Sequence, residues 1–319
     1  MDVFFSSVSA MFEALAKIFI IALAGGILVR KKIINEEYIK GLSQFTIFVL
    51  LPCLTFSNII TTFEPEKTLH WWILPIVGFV MSILGLVVAA LLFIRNVEIK
   101  KNYFPVAGLQ NAGYLVLPIG KLVFPEQFDL FALYTFLFLI GFNPVLWSIG
   151  KFLCTSSSGI KYKFSLKSII TPPLVANIAS VIIVLLKLHV YIPKLILQPI
   201  DLMGTATVPV ANFILGATLG TISLKHLPPF WDILKVNFSK FVLIPTITLI
   251  FVVALNIQET NKLLASFLII QASAAPAANI VVMIQNYGGD VQRIGGLMLL
   301  SYLISIIAMP LWVGVLTLF

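Results

Sequence analysis

Apolar residues run along this chain in long blocks parted by short polar ones. The blocks fall near 8–29, 42–62, 71–94, 104–122, 130–152, 166–188, 197–221, 234–255, 263–285 and 294–317. Each approaches the ~20 residues that carry a helix across a bilayer core. The pattern predicts an all-α polytopic membrane protein with ten transmembrane helices and almost nothing left for a soluble domain.

Two blocks are interrupted. The fourth carries Gln110-Asn111-Ala112-Gly113 and then Pro118, and the ninth carries Gln271, Pro276 and Asn279. A buried helix broken by proline exposes carbonyls and amides that lipid cannot satisfy, so it survives where it lines a cavity or packs inside protein. Single prolines in membrane helices usually make only kinks, and Pro75, Pro105, Pro144, Pro245 and Pro310 are assigned to kinks or helix ends. The two interruptions differ because amides accompany them and their spacing recurs. Pro52 precedes Pro118 by 66 residues, and Pro209 precedes Pro276 by 67.

That recurrence divides the chain into two five-helix repeats, 1–155 and 166–319, joined by a polar cytoplasmic linker at 156–165. An odd number of helices per repeat inverts the second relative to the first. Inverted repeats with discontinuous helices in matching places point to a midplane site in a secondary transporter. Half-helix N-termini would present positive dipole ends there, so a small organic anion is the expected cargo.

Composition agrees: 60% of the 319 residues are hydrophobic and 11% charged, with mean hydropathy +1.06. The net charge of +8 does not imply a nucleic-acid partner, because the cations sort by loop. Fifteen of the 21 Lys and Arg, Lys235 and Lys240 among them, fall in or beside alternate loops; five lie in the other set and Lys17 in the first helix. This places both termini on the non-cytoplasmic side of a plasma or inner membrane. The first block lacks a basic start and carries Glu13 and Lys17, so it reads as a retained helix. Cys53 and Cys154 show no metal-ligand spacing, and no metal site or cofactor is expected.

Several motifs, in this order and spacing, resemble the auxin efflux carrier family, PIN-type and bacterial membrane-transport proteins related in fold to bile acid:sodium symporters. They are Leu51-Pro52-Cys53-Leu54-Thr55-Phe56-Ser57-Asn58, Asn111 to Pro118, Thr171-Pro172-Pro173-Leu174, and Pro276-Ala277-Ala278-Asn279 through Tyr287-Gly288. The resemblance covers essentially the whole chain. It implies scaffold and transport domains each built from both repeats, crossing helices four and nine, a carboxylate bound near the crossing, an elevator-type mechanism and a homodimer. By the same resemblance Asn111 contacts substrate and Thr55 lines the pocket. The chain departs from the family in having Ala275 where bacterial members commonly have proline, no long central loop, and a fifth helix that makes Tyr134 and Asn143 weak pocket candidates.

The substrate-binding candidates are therefore Asn111, Asn279, Thr55, Gln110, Gln271 and Gly113, with Pro118, Pro276, Pro52 and Pro209 shaping the helix breaks. Asn58, Asn177 and Asn212 are expected to pack between helices, and Glu13 with Lys17 to form a structural ion pair facing other helices. Neither break holds Asp or Glu, so sodium coupling is not demanded, although carbonyls with Asn, Gln and Ser273 could hold Na⁺; coupling to H⁺ or Na⁺ stays open. No nucleophile–base pair accompanies His70, His189 or His226, which excludes an enzyme reading. The reading is efflux of an auxin-like monocarboxylate or a dicarboxylate; the alternatives are a carrier-derived sensor and a sodium- or proton-coupled symporter.

Overall fold

The computed structural model describes residues 2–67, 70–155, 170–222, 227–287 and 290–319. The helices that carry the fold are, in chain order, α1 (Val3–Arg30), α2 (Glu36–Thr62), α3 (Ile73–Leu92), α4 (Phe104–Gly108), α5 (Val116–Val123), α6 (Pro125–Cys154), α7 (Pro172–Leu185), α8 (Lys194–Gly220), α9 (Phe230–Ala254), α10 (Lys262–Ser273), α11 (Asn279–Tyr287) and α12 (Val291–Leu316). Among the described residues no strand occurs, and seven helices, α1, α2, α3, α6, α8, α9 and α12, are long and apolar enough to cross a membrane.

The remaining expected segments do not form single long helices. The fourth is divided into α4 and α5, the ninth into α10 and α11, and the sixth is the 14-residue α7. The expected linker at 156–165, and Gly288 of the ninth-helix motif, lie outside the described residues.

Prolines shape the long helices through π turns. Thr46–Leu50 precedes Pro52, Ser239–Leu243 precedes Pro245, and Leu146–Gly150 follows Pro144. A helical proline has no N–H for the carbonyl four residues back, and a wider turn accommodates the ring. At Pro245 the freed carbonyl is that of Phe241, and the Trp312 indole N–H donates to it at 2.7 Å.

Helices from distant parts of the chain pack through small residues. α1 lies along the second half of α8, where a Cβ on Gly25 would stand 2.3 Å from the carbonyl oxygen of Phe213. α3 meets α4 so closely that a Cβ on Gly85 would stand 2.3 Å from the carbonyl oxygen of Gly108. Gly25 and Gly85 therefore serve contacts within one chain. α2 packs on α7, α3 on α6, and α10 on α12.

Two expectations about charge are corrected. Glu13 and Lys17 do pair, at 2.6 Å, but their side chains are 67% and 55% exposed, so the pair faces away from the other helices. Lys240 does not lie in or beside a loop: it is 0% exposed within the π turn of α9. Hydrophobic flanks continue beyond it on both sides, and the helix starts at Phe230, four residues before the expected 234.

Candidate functional site

The two interruptions meet. The Asn111 backbone N–H donates to the Ala275 carbonyl at 2.7 Å, and the Ala277 N–H donates to the Leu109 carbonyl at 3.1 Å. Gln110 and Pro276 thus stand opposite one another as an isolated antiparallel bridge between two unwound stretches. α4 and α10 end at this bridge, while α5 and α11 begin just beyond it. Main-chain groups that would be orphaned in hydrocarbon satisfy each other here.

Side chains fasten the joint. The Asn111 amide donates to the Tyr302 hydroxyl at 2.8 Å, and that hydroxyl donates to the Pro276 carbonyl at 2.8 Å. The Asn111 side-chain oxygen accepts from the Tyr114 N–H at 3.1 Å, a turn that steers the chain toward α5. Gln271 donates to the Ala112 carbonyl at 3.1 Å, tying the end of α10 to the other break. Pro118 sits in the first turn of α5, where its missing N–H has no helical partner to lose. Pro52 and Pro209 lie in α2 and α8 and are not members of the bridge.

A cavity adjoins the bridge. Thr55, Gln110, Asn111, Gly113 and Asn279, five of the six binding candidates, line it; Gln271 does not. Asn143 of α6 and Asn177 of α7 also line it. Asn177, expected only to pack, does both, since its amide donates to the Phe136 carbonyl. Tyr134 instead accepts from Asn261 at 3.0 Å and takes no part, and Asn58 donates to the Asp129 carbonyl. The apolar wall comes from Leu51, Leu139, Phe142, Leu146 and Trp147. Among the described residues no Asp, Glu, Lys, Arg or His lines the cavity.

The space open to the centre of a water molecule is about 50 Å³, room for a few waters at ~10–15 Å³ each. Beside it lies a vestibule of about 1330 Å³ bounded by Glu36, Glu37, Lys40, Gln44 and Gln292. Ile47, Trp147 and Thr171 line both spaces and form the neck between them. The vestibule lies against the first turns of α2, which carry Lys40.

Several buried polar atoms have no hydrogen-bond partner among the described residues, both side-chain atoms of Gln110, the oxygen of Gln271 and the amine of Lys240 among them. Buried groups of this kind are costly unless water or a ligand reaches them. Among the described residues no group of three or more His, Cys, Asp or Glu could hold a metal ion.

Sequence reasoning missed Tyr302, Tyr114 and Trp147. Tyr302 carried a readable signal, a phenol in the middle of an otherwise apolar segment. Trp147 carried none, because an aromatic residue in an apolar helix looks like core.

The comparisons with known proteins agree with this architecture. A family model described as "Membrane transport protein" matches residues 10–161 and 155–313. An uncharacterized transporter of Methanocaldococcus jannaschii is 26% identical over 293 residues, covering 88% of this chain and 90% of its own. A Rhizobium meliloti protein named "Putative malonate transporter" is 26% identical over 281 residues, 85% of this chain and 84% of its own. A second uncharacterized transporter, from Methanothermobacter thermautotrophicus, is 23% identical over 303 residues, 94% of this chain and 96% of its own. With helices that can cross a membrane, two broken segments joined at a bridge and a family match along nearly its whole length, the chain belongs to the membrane transport protein family, the auxin efflux carrier family that its motifs resemble.

Proposed function

We propose that this protein is a secondary transporter that exports a small organic anion, with the carboxylate seated at the joint between the two broken segments. The observation that carries the reading is the bridge of Gln110 and Pro276 with its adjoining cavity. A membrane helix that gives up its own hydrogen bonds beside a polar cavity is expected where cargo binds. α5 and α11 both start there, so two positive helix ends and the free amide groups of Gln110 and Asn279 would meet a carboxylate. Thr55, Asn111 and Gly113 complete the wall, with Asn111 holding the turn that shapes it.

In this reading the chain is two inverted five-helix repeats, with α4 and α5 counted as the fourth helix, α10 and α11 as the ninth, and both termini outside. The cavity is narrow, about 50 Å³, while the vestibule stands at the cation-rich, cytoplasmic end, which fits an inward-facing protein. Alternating access then moves the joint as one piece past a fixed scaffold, in the elevator manner. A small dicarboxylate such as malonate, named for one relative, is a suitable first probe alongside an indole-type monocarboxylate.

The exposed Glu13–Lys17 pair supports a homodimer. It lies partway along a membrane helix, where facing lipid is expensive for charged groups, and a second copy could cover it with a matching pair.

Purified protein in proteoliposomes tests the reading by charge movement on addition of each acid, with sodium present and absent. A saturable negative-charge current that persists without sodium is expected. Failure of every acid to produce current or counterflow would overturn the carboxylate assignment.

A further inference from the structure

Lys240 is the eleventh residue of the 25-residue α9, about 15 Å along it at 1.5 Å per residue and so near the middle of a ~30 Å hydrocarbon core. It is 0% exposed, and its Nζ has no hydrogen-bond partner among the described residues. The π turn that carries it, Ser239–Leu243, packs on α3, α4, α10 and α12. Two of these, α4 and α10, are the halves that end at the bridge of Gln110 and Pro276.

Among the described residues no carboxylate is available there to balance an ammonium. α3 and α4 contain no titratable residue, and α10 contributes only Lys262, at its far end. α12 contributes Arg293, which pairs with Asp290, and Tyr302, whose hydroxyl is committed to the bridge. On α9 itself Asp232 is taken by Lys100 at 2.5 Å, and Lys235 is a second cation. A lysine serving only to fill space would be better replaced by methionine or leucine, since an ionisable group inside a membrane protein is kept at a cost and marks a functional pathway.

We propose that Lys240 is a proton-binding site of the transport cycle. Its amine takes up one proton from water at the crossover when an anion is seated there, becoming an ammonium, and returns that proton when the anion leaves. Resting on the transport reading above, this supplies the positive charge that the two breaks lack and names H⁺ as the coupled ion. By reciprocity, proton and anion strengthen each other's binding by the same factor, within the usual range of about 5- to 150-fold.

Two measurements on the full chain decide it. In the first, wild type, K240M and K240Q are melted in lipid nanodiscs without any anion, from roughly pH 6 to pH 9, the range between ordinary histidine and lysine behaviour. The gap in melting temperature between wild type and each variant is expected to change with pH, because only wild type exchanges the proton. A gap that stays constant overturns the proposal. Two neutral replacements of different polarity guard against one that fails to fold.

In the second, proton and malonate movements are followed together in proteoliposomes. Wild type is expected to move protons with malonate; K240Q should lose the proton movement, bind malonate at least about fivefold more weakly at the acid end of the range, and show no remaining pH dependence of malonate affinity. Proton movement unchanged in K240Q overturns the proposal. If wild type moves neither malonate nor any other acid of the panel, the carboxylate reading fails, and proton binding at Lys240 is decided by the melting series alone.

Discussion

The side chains of Asn111 and Tyr302, 191 residues apart in sequence, are hydrogen bonded at 2.8 Å, and the tyrosine passes its own proton on to the Pro276 carbonyl. Three elements, both breaks and the final helix, are thereby locked by one phenol at 0% exposure. Replacing Tyr302 by Phe leaves a buried donor and a buried acceptor unmet. We expect a loss of about 1–3 kcal/mol, seen as a lower melting temperature in detergent, with slowed transport. An unchanged melting temperature would mean that water substitutes freely for the hydroxyl.

Asn111→Ala removes the same bond to Tyr302 and also the acceptor for the Tyr114 N–H. We expect expression to survive and anion counterflow to vanish. Uptake at wild-type rate would count against the joint as the binding site.

The two glutamines separate stability from binding. Gln271→Leu loses its bond to the Ala112 carbonyl and should cost about 1 kcal/mol in thermal stability. Gln110, whose side chain has no partner among the described residues, should cost little stability when changed to Leu but weaken anion affinity in a binding titration. The opposite pattern would exchange their roles.

Gly85 and Gly113 make a second contrast. A Cβ at Gly85 meets a backbone oxygen at 2.3 Å, so Gly85→Ala should prise α3 from α4 at a cost of about 1–3 kcal/mol. A Cβ at Gly113 meets only the Leu139 side chain at 3.8 Å, so Gly113→Ala should fold normally and change transport alone. Yield and melting temperature of both variants, measured side by side, check this.

Thr171 lines both the cavity and the vestibule. In a background with Cys53 and Cys154 replaced, Thr171→Cys should react with a membrane-impermeant thiol reagent from the Lys40 side, and a bound anion should slow the reaction. Labelling from the opposite side only would reverse the assigned topology.

The site was legible in the sequence to the extent that it departs from what lipid tolerates. Amides and prolines inside apolar blocks have few innocent explanations, so Gln110, Asn111, Gly113 and Asn279 stood out, and they line one cavity. Residues that suit a membrane interior did not stand out. Trp147 and Phe142 reach the same cavity from α6, where aromatic and aliphatic residues are the rule. Lys240 was counted beside a loop because a cation three residues from Asn237, with Asp232 and Lys235 in the two turns before it, looks like the polar end of a helix. A π turn follows no hydrophobic period that would have revealed its burial. Asn177 shows the remaining difficulty: one amide can both brace a neighbouring helix and border the cavity, and residue type alone does not say which.

The bridge between the breaks is made from main-chain atoms only, through Asn111, Ala275, Leu109 and Ala277. Its existence therefore depends on the chain being unable to coil at those points and hardly at all on which side chains decorate them. The hinge and the lock have separate blueprints. Two such proteins can inherit the same joint while their wall residues drift apart, so a shared ancestry predicts how each one moves far better than what each one carries.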